Sequence, residues 1–269
     1  MSIIEAIVLG AVQGLTEFIP ISSSGHLVLV PEALEWDAPG LTFDVLLHIA
    51  SLVALLVYFS GDLLDLGRGL LAGDGRARRL LLFLAIGTVP AAVAGIALGE
   101  YFEDSFKDAP SAAIQLLFTA AILVIGEQAL THREKKAAEK GSRLRDMEQL
   151  NAGDATAIGV AQAVSILPGI SRSGSTIATG LALGISRDDS ARFAFLLAIP
   201  ALFGAALVKI PDFGEASIGL GAGIAGFTAS LITSYAAIWG LIKYLKTRNL
   251  YPFAAYCIVA GIVFYLLVA

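Results

Sequence analysis

Four side chains in this sequence could together bind an anionic group and move a proton. Glu17, Ser23 and His26 lie close together near the amino terminus, and Arg172 lies far from them in the second half. Carboxylates and imidazoles accept and donate protons, and a hydroxyl can attack as a nucleophile. A guanidinium binds phosphate through two parallel hydrogen bonds. These residue types therefore predict phosphoryl chemistry, provided that the fold brings them together.

The two segments that carry these residues are copies of one pattern. Each runs from an apolar helical stretch into a proline, then into a Ser/Gly cluster, and then into a second apolar stretch. The positions that recur are Gly10, Gln13, Thr16, Ser22, Ser24 and Gly25, which correspond to Gly159, Gln162, Ser165, Ser171, Ser173 and Gly174. Each copy predicts two short helices joined at a break. The copies differ in their chemistry, because Glu17 and His26 occur only in the first and Arg172 only in the second.

Composition places the chain in a membrane. Hydrophobic residues make up 57% of it and charged residues 15%, and the mean hydropathy is +0.78. These values lie outside the range of soluble globular proteins. The net charge of -5 does not suit a nucleic-acid partner, so none is expected. The single cysteine, Cys257, excludes an intramolecular disulfide.

Six apolar stretches are long enough, alone or with flanking residues, to cross a bilayer core of about 30 Å. They are Asp44–Phe59, Leu80–Gly99, Ala109–Gly126, Phe193–Val208, Ala216–Ile242 and Leu250–Ala269. Arginine and lysine concentrate in loops near 68–79, 133–145 and 243–248, which predicts that these loops face the cytoplasm. The more acidic loops at 100–108 and 209–215 are then expected outside, together with both chain ends.

Shorter apolar pieces flank the two breaks, and they do not suit simple spans. They are Ala6–Thr16, Phe18–Pro31, Ala155–Ser171 and Ser173–Ser186. Irregular backbone at membrane depth is stable only when it is buried in protein or lines a wet cavity, so each pair predicts a re-entrant hairpin. The loop charges place the two hairpins on opposite membrane faces. We therefore expect an all-α polytopic membrane protein, with six transmembrane helices and two re-entrant helical hairpins in an inverted-topology repeat.

The predicted repeat also divides the chain, within one membrane domain that covers residues 1–269. Residues 1–131 form the expected first repeat, and residues 154–269 form the second. Residues 132–153, rich in Lys, Arg and Glu, are the expected cytoplasmic linker.

The Ser/Gly clusters after the two prolines suit the binding of an anion. Serines there are typical of helix N-caps, and a helix N-terminus attracts anions through its free N–H groups and its dipole. Arg172 within a membrane segment requires a partner anion or a water cavity. The candidate substrate-binding residues are Gln13, Ser22, Ser24, Gly169, Ser171, Ser173, Gly174 and Thr176. The expected substrate is a phosphate or diphosphate carried on a lipid.

The first copy supplies the groups that could move protons. Glu17 follows Gln13 by four residues, which puts both side chains on one helix face. An ionisable group within a membrane segment costs roughly 2.5–3.5 kcal/mol on the insertion scale, which makes Glu17 a functional candidate. If Ser22 caps the second short helix, Ser23 and His26 lie one turn apart, and we expect the imidazole to approach the Ser23 hydroxyl.

Asp44 and His48 are four residues apart at the start of the first full span. Two interpretations stay open for them. They could line the same cavity as Glu17, or they could form a helix-end cap and an interfacial histidine.

Two runs of the sequence carry a family resemblance. Gln13–His26 (QGLTEFIPISSSGH) and Leu167–Thr176 (LPGISRSGST) closely resemble the two signature motifs of the undecaprenyl-diphosphate phosphatase family, also called bacitracin resistance proteins. The resemblance covers the whole chain in length, span count and motif separation. It implies removal of one phosphate from a polyprenyl diphosphate of the undecaprenyl type, which recycles the lipid carrier of cell-envelope glycan synthesis.

The resemblance also implies roles for individual residues. Glu17 would be the essential acid of the first motif, Ser23 a nucleophile, His26 its acid–base partner and Arg172 the phosphate clamp. The family's dependence on a divalent cation implies Mg²⁺ or Ca²⁺, with Glu17 as its ligand or as a base. The family motif begins with Glu or Gln, and Gln13 stands here. Glu17 is then the only carboxylate of the motif, which weakens a two-carboxylate mechanism.

Two chemical routes and one rival function remain open. Ser23 could attack the terminal phosphorus while His26 accepts its proton, or water activated by His26 or Glu17 could attack directly. A transporter or flippase of a lipid phosphate or small anion would use the same inverted repeat with broken helices. The different chemistry of the two copies favours the enzyme.

The expected location follows from the same features. We expect a multi-pass protein of the cell membrane whose active site opens to the extracytoplasmic side. Its expected partners are the bilayer and a polyprenyl diphosphate, and a homodimer is left open.

Overall fold

The computed structural model describes residues 1–37, 40–97, 108–209 and 219–268, and these residues form eleven α-helices and one short 3₁₀ helix at Met147–Gln149. The helices are α1 (Ile3–Phe18), α2 (Ser23–Ala33), α3 (Leu41–Tyr58), α4 (Ser60–Leu71), α5 (Gly75–Ala97), α6 (Ala109–Glu139), α7 (Ala152–Val164), α8 (Arg172–Ala182), α9 (Arg187–Lys209), α10 (Leu220–Leu245) and α11 (Tyr251–Val268).

The number of long apolar helices agrees with the predicted architecture. Among the described residues, α5, α6, α9, α10 and α11 are long and apolar enough to cross a membrane. The pair α3 and α4 bends by 67° between them and makes a sixth crossing if it is counted as one span. The all-α polytopic membrane fold is therefore confirmed. Most residues of the two loops expected outside, 100–108 and 209–215, lie beyond the described part of the chain.

Helix α6 is longer than the sequence predicted. The expected span ends at Gly126, whereas the helix continues to Glu139. Alanine, lysine, arginine and glutamate dominate this extension, and all four are strong helix formers. The first part of the predicted charged linker is therefore the last two turns of α6.

The two copies of the repeated pattern cap their second short helix in the same way. Ser22 is the N-cap of α2, and its hydroxyl accepts a hydrogen bond from the Gly25 N–H. Ser171 is the N-cap of α8 and accepts from the Gly174 N–H in the same way. The repeated serines and glycines therefore serve the same local purpose, which is to start the second short helix of each pair.

Thr119 of α6 holds the break between α7 and α8 in place. Its hydroxyl donates to the Gly169 carbonyl (2.7 Å) and accepts from the Ser171 N–H (2.9 Å). Gly169 has φ +99°, and a β-carbon there would lie closer than 3.0 Å to the Ala112 carbonyl oxygen. Both features require glycine at this position.

Each short first helix packs against a long helix from the other half of the chain. Helix α1 packs on α10, and a β-carbon at Gly10 would lie closer than 3.0 Å to the Gly226 carbonyl oxygen. Helix α7 packs on α5 with the same closeness between Gly159 and Gly87. Gly10 and Gly159 are corresponding positions of the repeat, so the two copies also share their way of packing. Small residues permit this close approach of membrane helices.

Two of the basic loops, near 68–79 and 133–145, gather at one end of the molecule. Arg145 binds the Asp154 carboxylate at the start of α7 and exchanges backbone hydrogen bonds with Gly184 and Ser186 just after α8. Both ends of the second hairpin therefore lie on the same side, as a re-entrant hairpin requires. Arg79 donates to the Leu150 carbonyl (2.8 Å) and brings the loop before α5 to this end as well.

Candidate active site where the two hairpins meet

The two breaks lie against each other in the interior. A β-carbon at Gly25 would lie 3.0 Å from the Gly169 Cα, so the backbones of the two breaks are in close contact. The Ser173 hydroxyl donates to the Ile19 carbonyl across the same contact (3.4 Å). The N-termini of α2 and α8 consequently lie beside one another.

Glu17 lies at the centre of the polar groups that meet there. Its Oε1 accepts from the Arg172 guanidinium, and its Oε2 accepts from the Ser23 hydroxyl. The Gln13 amide donates to the same Oε2 (3.1 Å). The structure therefore brings together three of the four catalytic candidates.

The pair of Glu17 and Arg172 is largely withdrawn from solvent. Glu17 is 6% exposed, whereas the Arg172 side chain keeps 19% of its surface. A buried charge that loses its partner typically destabilises a protein by about 3–5 kcal/mol, so the two groups depend on each other in this conformation. The residual exposure of Arg172 would let an incoming phosphate replace the carboxylate as its partner.

His26 lies one turn further along α2 and has other partners. Its Nδ1–H donates to the Ser22 carbonyl (2.7 Å), and its Nε2 lies 2.8 Å from the Tyr256 hydroxyl. The predicted approach of His26 to the Ser23 hydroxyl is therefore wrong for this conformation. The reason is local, since the helix carries Ser23 toward Glu17 while the His26 ring turns back to its own N-cap carbonyl.

His48 of α3 lies beside Glu17, so the first of the two interpretations left open for it is correct. Its Nε2 is 3.8 Å from the Glu17 Oε2, and its Nδ1 is 2.7 Å from the Asp44 carbonyl. The Asp44 Oδ1 is buried without a hydrogen-bond partner among the described residues. The four-residue spacing of the two side chains was the available signal, but it did not show that α3 passes next to Glu17.

The candidate substrate-binding residues lie at the two helix N-termini, and several already have partners in the protein. Ser22 and Ser171 serve as N-caps, and they lie near the hydroxyls of Ser24 (3.4 Å) and Ser173 (3.2 Å) respectively. The Thr176 hydroxyl donates to the carbonyl of Arg172 in its own helix (2.8 Å). Their part in substrate binding stays a prediction. Thr119 and Tyr256 were not predicted, because each acts on a hairpin from a distant helix.

The oxygen atoms of the site suit a hard divalent cation. Within the described ranges, no three or more His, Cys, Asp and Glu side chains are placed so that they could hold a metal ion together. Mg²⁺, however, is commonly held by one or two carboxylates together with substrate phosphates. Glu17 supplies one carboxylate, and the neighbouring Gln13 has a buried Oε1 without a hydrogen-bond partner among the described residues. These two residues could hold the cation.

The fold defines an integral membrane protein, and the site is its candidate centre for an anionic group. A carboxylate, a hydroxyl and a guanidinium meet at the N-termini of two short helices, inside a bundle of membrane-spanning length.

The chain belongs to the bacitracin resistance protein BacA family, whose model matches residues 6–263. An undecaprenyl-diphosphatase of Methanosphaera stadtmanae is 38% identical over 98% of this chain and 97% of its own. Proteins of the same name from Geobacter sulfurreducens and Gloeobacter violaceus are each 40% identical. They cover 97% and 95% of this chain, and 96% and 88% of their own. The family resemblance of the two motifs is therefore confirmed over nearly the whole chain.

Proposed function

We propose that this protein hydrolyses a polyprenyl diphosphate of the undecaprenyl type to the lipid monophosphate and inorganic phosphate. One observation carries the proposal. The Glu17 carboxylate holds the Ser23 hydroxyl and the Arg172 guanidinium together where the N-termini of α2 and α8 meet. The full-length relatives named undecaprenyl-diphosphatase support the substrate. Hydrolysis of this lipid would recycle the carrier used in cell-envelope glycan synthesis.

The first step would bind the diphosphate. Arg172 would exchange the Glu17 carboxylate for phosphate oxygens, to which its planar fork is well matched. The free N–H groups at the starts of α2 and α8 would add further donors. The departure of Arg172 would leave Glu17 as an uncompensated carboxylate, which makes it a stronger base.

The second step would transfer the phosphoryl group. The Ser23 oxygen would bond to the terminal phosphorus, and the bond from that phosphorus to the bridging oxygen would break. The lipid monophosphate would leave with that oxygen, while the Ser23 proton would pass to the Glu17 Oε2 that it already contacts. Glu17 therefore replaces His26 as the base for Ser23. Arg172 would stabilise the charge that shifts to the leaving group.

The last step would release phosphate. Water would attack the phosphoserine, and its proton would pass to the His26 Nε2. The bond from phosphorus to the Ser23 oxygen would break, and that oxygen would regain its proton from Glu17. If Glu17 and Gln13 held a Mg²⁺ or Ca²⁺ ion, that ion would supply charge neutralisation for the phosphates, and Glu17 would act as its ligand in place of a base. Direct attack by water on the diphosphate, with Glu17 or His26 as base, is the competing route.

Phosphate release tests the function and the route together. Purified protein in detergent should release inorganic phosphate from undecaprenyl diphosphate, whereas a transporter or flippase without hydrolytic activity would release none. Ser23→Ala should abolish turnover, and the unmodified protein should yield a trapped phosphoserine after acid quenching. Ser60→Ala, at an exposed helix start, is the matched control. Near-normal turnover of Ser23→Ala would eliminate the covalent route and leave attack by water.

We further propose that the two halves are inserted in opposite directions and that the site opens to the extracytoplasmic face of the cell membrane. The gathering of two basic loops at one end supports this orientation. It can be tested by cysteine labelling after Cys257→Ala, since Cys257 is buried and is the only cysteine. In intact cells, a membrane-impermeant maleimide should label Asp37→Cys and should label Ala72→Cys only after permeabilisation. The reverse pattern would refute the orientation.

A further inference from the structure

The last helix brings an aromatic hydroxyl to the histidine of the first motif. The Tyr256 hydroxyl of α11 lies 2.8 Å from the His26 Nε2. The two rings are also stacked, with 5.7 Å between their centroids and 16° between their planes. Phe264, two turns further along α11, contacts the His26 ring edge to face at 6.0 Å and 89°. Helix α11 therefore fixes the His26 ring from two directions.

The hydrogen-bond partners assign the tautomer of His26. The Ser22 carbonyl can only accept, so the His26 Nδ1 that lies 2.7 Å from it carries a hydrogen. In a neutral imidazole the other nitrogen is then an acceptor. The Tyr256 hydroxyl consequently donates to Nε2. The basic nitrogen of His26 is thus directed away from its own helix and toward α11.

The tyrosine hydroxyl is unusual for its place in the sequence. Helix α11 is an apolar candidate span with a mean hydropathy of 2.0. A hydroxyl in such a segment gains little from lipid, and phenylalanine would provide the same ring surface for stacking. The hydrogen bond to His26 accounts for tyrosine rather than phenylalanine at position 256.

We infer that Tyr256 is a positioning residue for His26, which it holds neutral at Nδ1–H and basic at Nε2 in one ring orientation. This inference rests on the proposed function, in which the His26 Nε2 accepts the proton of the attacking water. Tyr256 acts through His26 and has no contact of its own with Glu17 or Arg172 among the described hydrogen bonds. Its removal should therefore alter turnover more than substrate binding.

Three variants separate positioning from packing. Tyr256→Phe keeps the stacked ring and removes the hydroxyl. Tyr265→Phe is the control, because that ring lies on the same helix and lines an apolar groove with Leu117 and Gly261. Tyr256→Phe should lower kcat roughly fivefold, which corresponds to one neutral hydrogen bond, and should leave KM unchanged. In a His26→Ala background the same substitution should have no further effect. A second fivefold loss in that background would overturn the inference.

Nitrogen NMR of histidine provides a readout that does not depend on turnover. The chain has three histidines, so selective labelling with ¹⁵N-histidine gives an assignable spectrum. The unmodified protein should show His26 protonated at Nδ1, and Tyr256→Phe should shift the Nε2 resonance while His48 and His132 stay in place. An Nε2-protonated His26, or an unchanged Nε2 resonance in Tyr256→Phe, would refute the inference. Failure of the proposed function is distinct from these results, because it would show as absent phosphate release by the unmodified protein.

Discussion

At the scale of single residues, the Glu17 carboxylate is shared by donors from distant parts of the chain. Arg172 occupies one oxygen, while Ser23 and Gln13 occupy the other. A carboxylate in this arrangement can exchange one partner without losing the rest. This exchange is what the proposed reaction requires, because phosphate must take Arg172 while the Ser23 proton still has an acceptor.

Glu17→Gln should test the carboxylate as a base. The amide is nearly isosteric but cannot take the Ser23 proton, so we expect kcat to fall by about 10²–10⁴-fold, the usual contribution of a general base. Phosphate release from undecaprenyl diphosphate is the measurement. Glu5→Gln, in the exposed first turn of α1, is the control and should be fully active. Activity of Glu17→Gln within twofold of the unmodified protein would exclude this role.

The His48 side chain should keep a polar environment around Glu17, because its Nε2 lies 3.8 Å from the oxygen that binds Ser23, which is beyond hydrogen-bond distance. His48→Leu replaces this polar neighbour with an apolar one, and we expect kcat to fall roughly fivefold, as for about 1 kcal/mol of lost electrostatic stabilisation. His48→Gln keeps a polar side chain and should recover most of the loss. Steady-state kinetics of the two variants are the measurement. Equal losses of kcat in both would mean that the shape of the histidine ring, and not its polarity, supports Glu17.

The sequence predicted which residues meet at the candidate site better than it predicted their other partners. Glu17, Ser23 and Arg172 belong to motifs whose spacing and residue types indicate chemistry. The contact of His26 with Tyr256 joins residues at opposite ends of the chain, and no local spacing signals it. Tyr256 is the sixth residue of an apolar helix, and its hydroxyl is the only sign in the sequence of a polar partner.

At the scale of helices, the repeated glycines are contact points between the halves. Gly10 meets Gly226, and Gly159 meets Gly87, with no room for a β-carbon in either case. The sequence showed that Gly10 and Gly159 correspond. It did not show which helix each one packs against, because small residues permit close approach without specifying a partner.

Gly10→Ala and Gly159→Ala should both destabilise the fold. An added methyl group would meet a backbone carbonyl that cannot move aside easily, and overpacking of this kind typically costs about 1–3 kcal/mol. Thermal unfolding in detergent, followed by circular dichroism, should show a lowered midpoint for each variant. Gly240→Ala is the matched control, since a β-carbon at position 240 would have no atom within 4 Å. If all three variants behaved alike, the close packing would not be important for stability.

At the scale of the whole molecule, the charged end ties the second hairpin to the linker. Arg145 binds Asp154 at the start of α7 and the backbone after α8. The sequence alone predicted that the basic loops lie on one side of the membrane. It could not predict the pairs, because the linker offers several acids and several bases within a few residues of one another.

The ion pair at Asp154 should make stability depend on pH. Burial raises the pKa of the Asp154 carboxyl. The Arg145 guanidinium and the Asn151 N–H together lower that pKa by more than burial raises it, so the pKa lies below its usual range. A carboxyl with a lowered pKa in the folded state stabilises the protein above its ordinary pKa of about 4. That stabilisation is lost as the pH falls through the lowered value.

Asp154→Asn should therefore remove part of the acid sensitivity. At pH 7 we expect Asp154→Asn to have a lower midpoint of thermal unfolding than the unmodified protein. As the pH falls below about 4, the two midpoints should converge. Asp65→Asn, at an exposed position of α4, should leave the pH dependence unchanged. A gap between Asp154→Asn and the unmodified protein that stayed constant with pH would contradict the assignment.

Helix α1 of the first half packs on α10 of the second half, and α7 of the second half packs on α5 of the first. Each half therefore needs the other to bury its short helix. A chain cut between α6 and α7 should accordingly yield two fragments that are unstable when expressed alone and active when expressed in the same cell. Copurification of an untagged fragment with a tagged one, and phosphate release by the pair, would demonstrate this complementation. If two intact chains exchanged these helices in the same way, they would form a domain-swapped dimer, so the crossing also gives the chain a route to assembly.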